Sequence, residues 1–400
     1  MVCCSKTHNA DFFSSVNEIP DSIWDFISVS NNYYFHPDYL SALAKNHPEI
    51  QFFYIVQYDD AKKPVAFSTI QIVNFEIENV QNSVFPALDS VKKVATKLHI
   101  FSPKKPFKIV TCGNIFVSGE HGIYIDNNQD KNKIIQQLAE NLVRFVDEEK
   151  NLKKEVKAFM LKDFKDASLS ITDELFETKY SSFNVDPNMI LHIPEDWNDF
   201  SDYLSAMKTK FRVKAKRALT LSESLEVLDL DTTNIDDYLE LMKSLYKSVS
   251  TKANFNLANF NLDSFKDLKS NLKENYIIKA YFLDNVLVGF LSGLINNNHL
   301  DAHFVGLDYS TIKTNAVYQR ILYDYVKLGI DKKLSHINFG RTASEIKSSV
   351  GAIPEKLTIY LRHRHNVPNK IISPFIKRIQ PTPFAQKLPF KTKEQVVNTQ

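Results

Sequence analysis

The feature that most constrains this chain is an internal echo. Residues 52–73 read FFYIVQYDDAKKPVAFSTIQIV, and residues 276–295 read YIIKAYFLDNVLVGFLSGLI. Each is a β-rich run, an Asp-led turn (Asp59-Asp60 and Asp284-Asn285) and a second β-rich run, the chemistry of a hairpin. An amphipathic helix and a further strand follow each hairpin. In the first half the helix is expected over Lys131–Glu149, with Ile135, Leu138, Leu142 and Phe145 at helical spacing, and the strand over Val156–Leu161. In the second half the helix is expected over Asn315–Ile330, with Val317, Ile321, Tyr325 and Leu328 on one stripe, and the strand over His336–Phe339. Two copies of one α/β unit account for 400 residues better than a single large sheet.

Composition narrows the function. Lys+Arg number 49 and Asp+Glu 47, a net charge of +2, which speaks against a nucleic-acid coat protein and predicts no DNA partner. Three cysteines, Cys3, Cys4 and Cys112, make no disulfide framework and no zinc pair, so a reducing, cytoplasmic setting and no metal are expected. The uncharged run between Asp284 and Asp301 is too short and too polar to span a membrane, and the start MVCCSKTHNADFF lacks a signal-peptide pattern.

Four segments follow from this reading: an N-terminal unit over 1–190, a basic linker helix over 191–225, a C-terminal unit over 226–365 and a basic, proline-containing tail over 366–400. Pro194-Glu195-Asp196-Trp197 is expected to open the linker helix, and Phe200, Leu204, Met207, Phe211, Ala215 and Ala218 continue it for about five turns. Lys208, Lys210, Arg212, Lys214, Lys216 and Arg217 put six cations in ten positions of it. Such a run is either a solvated face or a platform for phosphate-bearing partners, and its self-repulsion favours the platform. The tail is either a strap held by Ile371, Ile372, Phe375, Ile376, Phe384 and Phe390 or a loose basic segment, and its prolines argue against a long helix.

The second half holds the candidate chemistry. Strands over Ile277–Leu283, Val286–Asn296 and His299–Gly306 form a meander, and Asp308–Thr314 leads into the helix. After the strand SHINFG come Arg341, Thr342 and Glu345, where Thr342 and Glu345 have the spacing of a capping box, and Arg341 ends a strand where open α/β sheets place ligands. Glu345 is thus either a cap partner or a site residue.

In this order, meander, loop, helix, strand, helix and final strand (Leu357–Tyr360) resemble the GNAT acyltransferase fold. The segment Ser205-Ala206-Met207-Lys208-Thr209-Lys210-Phe211-Arg212 with Arg217-Ala218 resembles the Ser-x-Lys-Thr-Arg-x-x-x-Arg-x-Ala segment of the Fem-type peptidyl transferases, with Lys210 in place of the usual Arg. His303-Phe304-Val305-Gly306, Phe339-Gly340-Arg341, Glu345-Ile346-Lys347 and Val350-Gly351-Ala352 are similar to the Fem-like and BioF-like acetyltransferase-domain proteins of bacteria, as is Cys112-Gly113-Asn114 with Gly119-Glu120-His121-Gly122. The resemblance spans roughly residues 20–365. It implies an α/β protein of mixed sheets, with two GNAT-like domains in tandem.

The resemblance implies acyl transfer to a primary amine from a thioester or carrier-bound donor. It allows two other outcomes: aminoacyl transfer to a cell-wall or other amino-bearing precursor, and a non-catalytic binding protein for an anionic metabolite. The coenzyme A loop of GNAT enzymes carries glycines that let the backbone approach pyrophosphate, and Asp308–Thr314 has none. No tightly bound cofactor is therefore expected, with acyl-CoA, an acyl-carrier protein or aminoacyl-tRNA as the donor. A small-molecule, lipid or peptide amine would be the acceptor, with at most peripheral membrane contact.

Acyl transfer needs a polarised carbonyl, a deprotonated amine and a path for its proton. Splayed strands in the GNAT fold would expose backbone N–H groups around Phe304, Val305 and Gly306 to the carbonyl. His303 is the candidate base, with Asp301 on the same face by strand alternation together with Val305, unless it is a structural histidine. Tyr318 is the candidate acid on the central helix. Asn315, Arg341, Glu345 and Lys347 would contact substrate, with surface pairing among the charged three as the other outcome. Lys210, Arg212 and Arg217 would meet a polyanionic donor.

Overall fold

The computed structural model describes residues 9–75, 106–252 and 257–391. Cys3, Cys4 and residues 392–400 of the expected tail lie outside them. The chain forms two compact units. Unit 1 comprises Met1–Asp186, Asn254–Asn261 and Lys356–Thr382, and unit 2 comprises Pro187–Ala253, Leu262–Glu355 and Pro383–Gln400.

In unit 1, β1 (Ala10–Phe13), β2 (Gln51–Tyr58) and β3 (Pro64–Phe75) are antiparallel neighbours, and β4 (Phe107–Cys112) and the short β5 (Ile123–Ile125) both pair with β3. The β2–β3 turn is set by Asp59, whose carboxylate accepts from the N–H groups of Ala61 and Lys63 at 3.0 and 2.9 Å, with Lys62 left-handed. A helix over Lys131–Glu148 then crosses over to β6 (Val156–Lys165), which runs parallel to β4. Asp130 caps this helix through the N–H of Lys133 at 3.2 Å, and Ile135, Leu138, Leu142 and Phe145 are buried as the spacing predicts.

The same wiring recurs in unit 2. β9 (Tyr276–Leu283), β10 (Val286–Asn296) and β11 (His299–Leu307) form the meander, after β8 (Glu226–Asp229) at its edge. Asp284 and Asn285 both have positive φ, so the β9–β10 connection is a two-residue turn of the type that matches strand twist. The crossover helix begins later than predicted: Ile312–Asn315 is a separate turn, Ala316 is left-handed, and the long helix is Val317–Asp331. It leads to β12 (His336–Asn338), parallel to β11.

Two strands run across the division of the units. β7 (Ser181–His192) joins β12 through Ile190–His192, and β13 (Ile353–His363) joins β6 through Leu357–His363. The chain therefore visits each unit more than once. Within unit 1 the order is β1-β2-β3-β4-β6-β13, and within unit 2 it is β7-β12-β11-β10-β9-β8. Each unit thus repeats a hairpin, a crossover helix and a parallel strand, as the internal echo predicts.

The linker helix is corrected. Its N-cap is Asp199, in a capping box with Asp202, and Trp197 belongs to the preceding turn. The helix is also two pieces, Phe200–Ala206 and Thr209–Leu221, because the tail interrupts it. The N–H of Lys208 donates to the carbonyl of Pro389 at 2.8 Å, and that of Lys391 to Ala206 at 3.0 Å. Residues 383–391 are thus a strap on unit 2. The tail also includes a helix, Asn366–Ile376 in unit 1, which tolerates Pro368 in its first turn and Pro374 near its end.

Phe390 fastens the strap. Its ring lies 5.4 Å from that of Trp197 and 5.8 Å from that of Tyr203. Beneath it Gly351 has φ +107°, and a Cβ there would sit 2.2 Å from the Phe390 ring. Phe390→Ala is expected to cost about 2–3 kcal/mol, since the ring is only partly covered and the full core penalty is larger. A urea titration followed by tryptophan fluorescence reads this, and an unshifted midpoint would show the strap is not held there.

Candidate functional site

The site lies where two parallel strands of unit 2 part. β11 and β12 share three register positions, His299–His336, Leu300–Ile337 and Asp301–Asn338. Beyond them β11 stays with β10 as far as Leu307, while the continuation of β12 follows β7: the N–H of Phe339 donates to Met189 at 2.9 Å, and that of Met189 to Gly340 at 3.2 Å. Asp301 and Asn338 close the fork. The Asn338 amide donates to Asp301 Oδ1 at 2.9 Å, and its oxygen accepts from the N–H of Gly340 at 2.9 Å. His299 Nε2 lies 3.2 Å from the other Asp301 oxygen.

One wall of the parting carries a β-bulge. Leu291 is opposite Val305 and Gly293 is opposite Ala302, so His303 and Phe304 together face Ser292. The Ser292 hydroxyl fills the gap, accepting from the N–H of Phe304 at 3.0 Å and donating to its carbonyl at 3.2 Å. From the crossover helix, the Tyr325 hydroxyl donates to the Ser292 carbonyl at 2.6 Å.

The bulge corrects the reading by alternation. His303 and Phe304 both turn toward an aromatic cluster: the His303 ring lies 5.8 Å from Tyr276, the Phe304 ring 6.3 Å from Phe265, and Phe265 lies 5.9 Å from Tyr276. Val305 turns instead to the core with Leu291, Leu300 and Val317. Asp301 and His303 still influence each other. Burial pushes the His303 imidazole down to about 4, against the upward pull of Asp301. The imidazole is therefore neutral at pH 7.

Tyr318 stands in the first turn of the Val317–Asp331 helix. Burial pushes its phenol up, with a further push from Tyr309, so it keeps its proton. It also adds to the upward shift of Tyr325, which places the two phenols within electrostatic reach beside the bulge. His303 and Asp301 are thus brought together, while Tyr318 is placed with Tyr309 and Tyr325 on the crossover-helix side.

The expected binding residues divide. The N–H of Phe304 is taken by Ser292, so it is not the carbonyl donor expected of it. By strand alternation the N–H of Val305 faces the opposite edge, toward the parting. Gly306 serves packing: a Cβ there would lie 2.2 Å from the Phe290 ring and 2.8 Å from Leu245 of the Ile235–Ser250 helix. Asn315 ends the short turn before Ala316, its oxygen accepting from the Thr314 hydroxyl at 2.7 Å.

The loop after β12 is unusual. Gly340, Thr342 and Ala343 all have positive φ, and the helix over Ser344–Ser349 has Ala343 as its N-cap with no side-chain cap bond. The expected Thr342–Glu345 capping box does not form. Glu345 is exposed and pairs with Lys387 of the strap at 2.8 Å. Lys347 is buried, and its ammonium donates to the carbonyls of Phe339, Gly340 and Arg341 at 2.7, 3.3 and 2.5 Å. All three donors hold the loop, so it is not the ligand-binding cation expected from the sequence. Burial pushes Lys347 down to about 7 and Arg341 down to about 10.

Lys210 and Arg217 are exposed on the Thr209–Leu221 helix and Arg212 is half-buried; among the described residues none of them pairs with a carboxylate. This helix ends beside the crossover helix, where Arg320 donates to the Ser222 carbonyl at 3.2 Å. Ser292, Tyr325 and Asn338 were not singled out from the sequence. Ser292 was visible as the one hydroxyl in the apolar run of β10, and Tyr325 as the residue two turns beyond Tyr318.

Among the described residues no cluster of His, Cys, Asp and Glu is arranged to hold a metal ion, and no helix is long and apolar enough to cross a membrane. No family model matches the sequence. No curated protein matches it either. Solved structures do. A tandem GNAT protein from the clavulanic acid biosynthesis pathway superposes with a TM-score of 0.52 at 8% identity, covering 89% of this chain and 99% of that one. L-PGS from Bacillus licheniformis gives 0.49 at 10% identity (89% and 95% covered), and FemX gives 0.48 at 11% (80% and 90%). The fold is GNAT-like, with two such domains in tandem.

Lys347→Met is expected to lower stability by about 2–4 kcal/mol, because three carbonyls lose their donor while an ammonium no longer has to be buried. Urea unfolding measures it. Unchanged stability would return Lys347 to the ligand-binding residues.

Proposed function

We propose that the chain is an N-acyltransferase whose reaction takes place in unit 2, at the parting of β11 and β12. The observation that carries this is the fork itself: paired at Asp301–Asn338 and open beyond, it leaves one edge of β11 without a described strand partner beside a bulge locked by Ser292 and Tyr325. A donor carbonyl placed against that edge would accept from backbone N–H, Val305 first, with little reorganisation. The tandem GNAT fold supports the reading.

In the step itself, the amine nitrogen bonds to the acyl carbon, the bond to the donor sulfur or ester oxygen breaks, and the leaving group takes up a proton. His303, neutral at pH 7, accepts the amine's proton directly or through water. Tyr318, protonated well above neutral pH, supplies the leaving group's proton. Asp301 acts as a positioning residue through Asn338.

A donor other than free acyl-CoA is favoured by the turn before the crossover helix. There Asp308 Oδ1 accepts from the N–H and hydroxyl of Ser310 at 2.9 and 2.8 Å. A carboxylate thus occupies one backbone donor in the segment that carries glycines in coenzyme A-binding GNAT enzymes, and repels pyrophosphate. A carrier-bound acyl group or aminoacyl-tRNA, met by the cations of the Thr209–Leu221 helix, fits better. An acyl-carrier thioester, an aminoacyl-tRNA and acyl-CoA, each incubated with an amine panel and read by mass spectrometry, test this. Transfer from none of the three would overturn the reading. Reversing charge at Lys214 and Lys216 should weaken use of the polyanionic donor and reduce its salt dependence.

His303→Ala should lower turnover about 10²–10⁴-fold. Because its imidazole stays unprotonated down to about 4, kcat/KM should show no inflection from this group near 6.5 and should fall only as pH approaches 4. An acid limb centred near 6.5 that disappears in His303→Gln would contradict the buried geometry.

A further inference from the structure

Unit 1 has its own strand parting. β4 and β6 pair in parallel from Lys108–Val156 to Cys112–Leu161, and then the loop after Cys112 comes between them. Part of that space is filled. Lys162 is buried and donates to the carbonyls of Asn114 and Val117 at 2.6 and 3.1 Å and to the carboxylate of Asp163, which itself accepts from the N–H of Gly119 at 3.3 Å. The fork that stays open in unit 2 is thus closed in unit 1 by its own loop.

Beside the closed fork a cavity of about 230 Å³ remains. At ~30 Å³ for each water it replaces, that is room for roughly seven or eight waters, the size of a small metabolite. Part of its wall is apolar, from Cys112, Ile135, Phe164 and Ile171, with Asn127, Ser168 and Thr172 also lining it. Three charged groups also line it: Lys162, whose ammonium is already held by Asp163 and two carbonyls, and the half-buried Glu120 and Lys131, of opposite charge. The last two do not pair with each other. Glu120 Oε1 accepts from the N–H of Lys165 at 2.6 Å, and the Lys131 ammonium donates to Asn127 Oδ1 at 3.0 Å, so the partner of each is uncharged.

Opposite charges on one half-buried cavity would normally gain by pairing. Held apart, each by a neutral hydrogen bond, they offer one site for an ammonium and one for a carboxylate, with an apolar wall between strand and helix. A ligand of one charge would satisfy one group and leave the other facing it. We propose that this cavity is a second ligand site, distinct from the acyl-transfer site, for a small zwitterion with an aliphatic body, an α-amino acid of about leucine's size. Its ammonium would meet Glu120 and its carboxylate Lys131. The inference does not depend on acyl transfer, because binding alone reads it out.

The test is calorimetric titration of the full chain with L-leucine, 4-methylpentanoate and isopentylamine, which share the body and differ in charge. Leucine should bind saturably and each single-charge analogue at least about ten-fold more weakly. Glu120→Gln, whose amide oxygen can still accept from Lys165, and Lys131→Met should each weaken leucine about ten-fold or more without moving the unliganded melting temperature. Ser168→Phe, which fills the cavity, should abolish binding. No saturable heat with leucine, equal binding of isopentylamine or 4-methylpentanoate, or unchanged affinity in both charge variants would each overturn the proposal.

Discussion

Once β11 and β12 separate beyond Asp301 and Asn338, neither strand can satisfy the other's backbone, and every N–H and C=O on the two inner edges must find a partner or face a ligand. The second unit resolves this unequally. On the β12 side, β7 takes up Phe339 and Gly340, and Lys347 collects three carbonyls on one ammonium. On the β11 side, Ser292 serves only Phe304, on the edge that faces β10. One wall of the fork is thus closed, while the β11 edge beyond Asp301 has no described strand partner. Backbone donors fixed on such an edge can meet an acceptor without first giving up a protein hydrogen bond.

The first unit shows the alternative. Its fork has the same parallel pair and crossover helix, yet Lys162 reaches from β6 to the carbonyls of Asn114 and Val117, and Asp163, left-handed and buried, holds Gly119. In both units a buried lysine satisfies backbone carbonyls around the parting. They differ in where it stands. Lys347 lies on the helix after the second strand and braces that strand's own loop, which keeps the opening clear. Lys162 lies on the second strand and draws in the loop of the first, which shuts it. The position of one ammonium separates an open fork from a closed one.

What the sequence reveals and what it hides follow from the range of the forces involved. Hairpins, meander and crossover helices are legible because a turn at Asp284-Asn285 or a stripe from Ile135 to Phe145 is encoded by near neighbours. The capping box at Thr342 and Glu345 fails although its spacing is right, because Lys347 holds the preceding carbonyls and the backbone enters the helix left-handed. Alternation along β11 fails at His303 because the Ser292 hydroxyl, from the neighbouring strand, stabilises an extra residue. The long linker helix is broken by Pro389 and Lys391, about 180 residues further on (391 against 208). Local pattern cannot register a partner that distant. Of the candidate site, His303, Asp301 and Tyr318 were legible by residue type, while Ser292 on the bulge and Asn338 against Asp301 needed the register.

The same contrast bears on how a donor would be held. Backbone N–H groups at a glycine-rich turn grip a pyrophosphate at fixed distance and suit one donor geometry. Here Asp308 occupies such a turn with its own carboxylate, and Ala316 breaks the helix start that would follow it. A run of positive charge lies instead on side chains, Lys210 to Arg217, along a helix whose end reaches Ser222 beside Arg320. Long, flexible cations tolerate a spread of phosphate positions and gain most of their energy from counterion release, which does not require a single pose.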